Sequence, residues 1–122
     1  MNQDDFNAYC QSLAHTTHVV QWGDADVWKI GGKFFAMAGS HDDNPAAPRV
    51  TFKVSDIAWE MYREAAGVRP APYMASRGMK WLQRTHADAI NDEDLRDLIK
   101  ESYGLVARGL TKKLQRELGL LA

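Results

Sequence analysis

Two consecutive glycines, Gly31-Gly32, separate the run DVWKI from the run KFFAMA, and this leaves the middle of the chain little choice of fold. The favoured two-residue turns between antiparallel strands need φ > 0 at their central residues, which glycine adopts without steric cost. Residues 18–38 therefore read as an approach segment, a turn at Gly23-Asp24, a strand, the glycine reversal and a second strand. A two-residue loop sets Ile30 opposite Lys33, Trp28 opposite Phe35 and Asp26 opposite Met37. Because side chains alternate along a strand, Trp28, Ile30, Phe35 and Met37 are expected on the core face. Val27, Lys29, Phe34 and Ala36 then share the other, mixed face.

The flanking chain supplies the rest of a two-layer domain. Phe6, Tyr9, Cys10 and Leu13 repeat at helical spacing over 4–14, with Asp4 and Asp5 at the favourable N-terminal end. GSHDDNPAAP at 39–48 reads as a loop, and RVTFKV at 49–54 alternates as a half-buried strand with Arg49, Thr51 and Lys53 outward. Ser55 or Asp56 caps a helix to about Ala66 with Ile57, Ala58, Met61, Tyr62 and Ala65 as its stripe. Val68 to Pro72 reads as an extended connector. MKWLQR at 79–84 reads as a strand with Met79 and Trp81 inward and Lys80, Leu82 and Arg84 outward. Asn91 or Asp92 opens a long helix with Leu95, Leu98, Ile99, Ser102 and Val106 on one face, ended by Gly109, and Thr111 caps a short last helix. The fold class expected is α+β: an antiparallel sheet with helices packed on one face, in a single domain over 1–122.

Several chemistries lack their residues. A single cysteine, Cys10, excludes an intramolecular disulfide and fits a reducing compartment, and it lies on the apolar stripe of the first helix. The acidic N-terminus is not a secretory signal and no run approaches a membrane span, so a soluble cytoplasmic protein, monomeric by default, is expected. His15 and His18 lack further metal ligands around them, and Asp24 and Asp26 read as turn and strand-end residues. His41, Asp42 and Asp43 read as a solvated loop tip. There is no phosphate-cradling glycine loop, no paired-cysteine motif, no zincin motif and no nucleophile elbow. No enzyme, cofactor or metal is expected; Ser102 and His86 are brought together by nothing in the sequence.

DVWKIGGKFFA at 26–36, VTFKVS at 50–55, GVRPAPYMASRGMKW at 67–81 and DEDLRDLIKESYGLVARGLTKK at 92–113 together resemble the MmcQ/YjbR family over nearly the whole chain. The resemblance implies a frataxin-like (CyaY-like) two-layer sandwich and DNA binding through a double-wing arrangement. It departs from the family at Met79, where a large aromatic is common, with Trp81 two residues on. A frataxin-like iron role would want an acidic ridge on the first helix, which offers little beyond Asp4 and Asp5.

The outward positions, gathered independently of any family, are Lys29 and Phe34 from the hairpin, Arg49 and Lys53 from the third strand, and Lys80 and Arg84 from the fourth. They carry five cations and no carboxylate in a chain of net charge −1. Such a face suits a phosphate backbone, and Phe34 among the cations suits stacking on an unpaired base. The turns at Gly31-Gly32-Lys33 and Ser76-Arg77-Gly78 would be the wing tips, each presenting one cation. The expected function is non-enzymatic DNA binding by Lys29, Lys33, Phe34, Arg49, Lys53, Arg77, Lys80 and Arg84. Lys and Arg are equally the ordinary choice on a solvated strand face. The competing expectation is a protein- or small-ligand-binding module with a groove lined by Trp22, Tyr73 and Trp81.

Overall fold

The computed structural model describes residues 1–72, 74 and 77–120. The elements are α1 (Gln3–Ser12), β1 (Thr16–Gln21), β2 (Ala25–Ile30), β3 (Lys33–Ala38), β4 (Val50–Lys53), α2 (Asp56–Tyr62), β5 (Val68–Pro70), β6 (Trp81–Arg84), α3 (Asp92–Arg108) and α4 (Lys112–Glu117). The strands form one antiparallel sheet in the order β1-β2-β3-β4-β6-β5. The fold is α+β with the helices on one face. α3 lies along β3 and β4, with α1 beside it against β1 and β3 and α2 against β6.

The caps follow the side-chain chemistry. Asn2, Ser55, Asn91 and Thr111 each accept a backbone N–H three residues on, at the starts of α1, α2, α3 and α4. Asp4 and Asp5 thus serve the first turn of α1 and not its cap. The stripe expected on α3 is buried throughout. On α2 the helix stops at Tyr62, and Ala58 alone of its expected apolar stripe is fully buried. Ile57 is 75% and Met61 66% exposed, because the short helix rolls Ala58 and Trp59 toward the core instead.

Strand phase is where the structure departs most from the alternation. Ile30 does face Lys33, and Lys29 faces Phe34, but Trp28 faces Ala36. Phe35 is the extra residue of a β-bulge, which moves every later side chain of β3 to the opposite face. Phe35, Ala36 and Ala38 are therefore in the core, and Met37 is outward, the reverse of the expectation for Met37 and Ala36. Ser102 of α3 fills the gap that the bulge leaves in the β3–β4 ladder. Its buried hydroxyl donates to the Phe35 carbonyl (2.5 Å) and accepts from the Lys53 backbone N–H (2.9 Å).

Two strands were not legible as such. TTHVVQ forms the edge strand β1, and the expected connector contributes β5, a three-residue edge strand on β6. Across all six strands one row on the helix side runs Val20, Asp26, Ala38, Val50, Arg84, Val68, with Val20 at the edge still exposed, and the adjacent outward row runs Val19, Val27, Met37, Thr51, Gln83, Arg69.

Asp26 is a network centre and not a bare strand end. It accepts from Gln3 Nε2 (2.5 Å) and Asn7 Nδ2 (3.0 Å) of α1 and pairs with His18 Nε2 (2.6 Å). Asn7 Oδ1 in turn accepts from the Trp28 indole (2.9 Å). Burial pushes the Asp26 carboxyl pKa up, but the hydrogen bonds from Asn7, His18 and Gln3 outweigh it and hold it below its ordinary value. A depressed folded-state pKa contributes stability above the unfolded pKa of about 3.9, and that contribution is lost as pH falls through the folded value. Asp26→Asn is expected to lower the urea midpoint at neutral pH and to lower it less at about pH 3. Equal losses at both would mean that the carboxylate's charge is not the cause.

Candidate nucleic-acid interface

The outward face takes its character from three rings. Trp22 lies in the turn after β1, where Trp22, Gly23 and Asp24 have φ of 51°, 75° and 69° in succession. A bulky residue in this left-handed region costs about 1–2 kcal/mol. Its indole is nevertheless 58% exposed, and its edge meets Phe34 with centroids 5.5 Å apart at 78°. Phe34 packs on Trp81 at 4.9 Å. The Trp81 ring is buried, and its indole N–H has no acceptor among the described residues.

Beside the rings lies a groove of about 740 Å³ floored by Met37, Thr51 and Gln83. The Gly39-Ser40 bend and Trp22 wall one side, and Ala71, Pro72, Met74, Arg77 and Met79 wall the other. Arg49, Arg69 and Arg77 line it, with Asp43 the one carboxylate among the lining residues. Asp43 is engaged: it accepts Arg49 Nε (2.8 Å) and the Arg49 backbone N–H (3.0 Å) and pairs with Arg49 Nη2 at 2.7 Å. Arg69 is oriented from its flank, with Nε (2.9 Å) and Nη2 (2.6 Å) both donating to Gln83 Oε1 while Gln83 Nε2 donates to Thr51 Oγ1 (3.1 Å). A second, more open depression of about 750 Å³ lies toward α2, bounded by Lys53, Ile57, Lys80, Trp81 and Leu105 among others.

The expected site residues divide accordingly. Lys29 and Phe34 are cross-strand partners on the outward face, Lys53 is the partner of Trp81, and Lys33 is exposed at the hairpin tip. Arg49 and Arg77 line the groove. Lys80 faces the second depression, and its ammonium pairs with Asp56 at 2.8 Å. Arg84 is a correction. It shares the parity of Leu82, sits in the core row with Val50 and Val68, and is 0% exposed. Its Nη2 donates to the carbonyls of Pro48 (3.0 Å) and Met1 (3.3 Å). By the same parity Trp81 is outward and Leu82 inward, again the reverse of expectation. Tyr73 and Ser76 lie outside the described residues. The reading of outward positions missed Arg69 and Gln83; the signal was the strand-like Val68-Arg69-Pro70, with proline on an edge.

No helix among the described residues is long and apolar enough to cross a membrane. The YjbR family model matches residues 11–105, a span that contains every strand and the whole groove. The chain is 30% identical over 93 residues to the uncharacterized protein YbdF of Escherichia coli O157:H7, covering 75% of this chain and 71% of that one. The crystal structure of Deinococcus radiodurans protein DR2400, with a DUF419 domain, aligns with a TM-score of 0.83 at 26% identity, over 99% of this chain and 91% of that one. A crystal structure of a Pseudomonas syringae protein shares the fold with a TM-score of 0.65 at 20% identity, over 86% of this chain and 98% of that one. The matched span, its hairpin and its α3 make this chain a member of the YjbR family.

Proposed function

We propose that this protein binds nucleic acid, with DNA the expected partner, through the outward face of its sheet and without catalysing a reaction. The observation that carries the reading is the pair of rings Trp22 and Phe34, backed by the buried Trp81 and set among Lys29, Lys53 and the three groove arginines. Base faces stack on aromatic side chains for roughly 1–3 kcal/mol each, and each Lys or Arg at a phosphate releases counterions. The wall of Ala71, Pro72, Met74, Arg77 and Met79 makes the face a trough, which suits a single strand better than a duplex. Binding without chemistry is supported by the buried nucleophiles. The Ser102 hydroxyl is spent on two backbone groups, and burial pushes the Cys10 thiol pKa up, leaving little thiolate.

The test is the affinity of a fluorescent single strand and its duplex, measured from about 50 to 200 mM salt. With about four phosphate contacts, single-strand affinity should fall roughly fiftyfold over that range. Lys29→Glu with Lys53→Glu and Arg69→Glu should abolish it. No binding at the lowest salt would end the nucleic-acid reading and leave a small-ligand module, which the enclosure of the groove favours.

A further inference from the structure

We infer that the unit held in the groove is one unpaired nucleotide, its base against Trp22 and Phe34 and its phosphate at Arg69 and Arg49; this rests on the nucleic-acid reading of the face. Size is the first argument. A cleft of about 740 Å³ is the volume of a small-molecule site and not of a track for many bases.

Polarity is the second. The ring end is apolar, with Trp22 and Phe34, and Met37 on the floor lies between it and the polar row. The opposite end is the row Thr51–Gln83–Arg69, a hydroxyl, an amide and a guanidinium joined by hydrogen bonds. The rings Trp22 and Phe34 and the guanidinium groups of Arg49 and Arg69 line the same cleft, so one ligand with a planar group and an anion can meet both.

Preorganisation is the third. Arg69 and Arg49 are each held by a neighbour that engages one edge of the guanidinium, Gln83 and Asp43 respectively. Each has N–H groups that no described residue engages, in the planar geometry that matches phosphate oxygens. Trp22 stands mostly exposed at the mouth in a conformation that its own packing does not explain. Closing over a base would give the indole its second face.

The test uses four probes on the full chain: 5′-deoxyadenosine monophosphate, deoxyadenosine, inorganic phosphate and a fluorescent single strand, read by tryptophan fluorescence and by competition. The monophosphate is expected to bind at least tenfold tighter than either deoxyadenosine or phosphate and to displace the strand. Trp22→Asn keeps a residue tolerant of left-handed φ and should weaken monophosphate and nucleoside alike by about tenfold. Arg69→Gln should weaken the monophosphate about tenfold and leave the nucleoside unchanged. If the strand binds but millimolar monophosphate does not displace it, or neither substitution matters, the single-nucleotide inference falls and the broader reading survives. If the monophosphate binds as described and no strand does, the nucleic-acid reading falls and a nucleotide site remains. If phosphate competes as well as the monophosphate, the base is not recognised and the inference falls.

Discussion

Ser102→Ala is expected to lower the unfolding free energy by about 2–4 kcal/mol. Ser102 is 0% exposed, and its hydroxyl serves both the Phe35 carbonyl and the Lys53 backbone N–H. Alanine leaves two buried backbone groups unpaired, each costing about 1–3 kcal/mol. The strands cannot close the gap themselves, because the bulge at Phe35 holds those two groups out of the ladder. Urea titration should show a lower midpoint with an unchanged slope. The ring row should respond as well, since Phe34 is the residue before the bulge; near-ultraviolet circular dichroism of the folded variant should differ from that of the parent. A loss below about 0.5 kcal/mol would mean that the serine is not the rung it is taken to be.

The second large effect comes from the hairpin turn, where two glycines with similar dihedral angles differ in surroundings. Gly31 and Gly32 have φ of 60° and 81°, so alanine costs about 1–2 kcal/mol at either from backbone strain alone. A Cβ on Gly32 meets nothing within 4 Å, whereas a Cβ on Gly31 falls 2.6 Å from Leu110 Cδ1 and 3.1 Å from Leu114 Cδ2. Leu110 is buried in the core cluster, which limits how far its side chain can move aside. Overpacking of this kind adds about 1–3 kcal/mol. Gly31→Ala is thus expected to cost about 2–4 kcal/mol and Gly32→Ala about 1–2, compared by chemical denaturation of the two variants side by side. Equal losses would show that the docking of α4 on the turn is soft.

What the sequence revealed was local and what it hid was relational. Gly-Gly between apolar runs, the caps Ser55, Asn91 and Thr111, and the stripe of α3 each depend on neighbours within a few residues, and each is found in the structure. The phase of β6 was not legible, because MKWLQR carries apolar residues at both parities and charge argued for Arg84 outside. Pairing with Val50 and Val68 decided it, and the carbonyls of Pro48 and Met1 take up Nη2 of the buried guanidinium while its Nε and Nη1 have no partner among the described residues. The bulge was hidden for the same reason: KFFAMA is apolar throughout, so no residue announces where alternation breaks. Of the candidate site, Lys29, Phe34 and Lys53 followed from parity before the bulge or on β4. The ring row and the Arg69–Gln83–Thr51 chain required the strand order β4-β6-β5, which is set by tertiary pairing.

The bulge also has a bearing on chain length. β3 serves two masters by containing one residue more than its partner requires. Excising either Phe34 or Phe35 would restore a regular ladder with β2 without touching the turn. The cost would fall on identity: either the ring row loses its middle member or α3 loses the aromatic against Tyr103. Substitutions in this strand can be compensated by their contacts one at a time, but a deletion cannot. The hairpin of this chain should therefore accept substitutions more readily than a change in its number of residues.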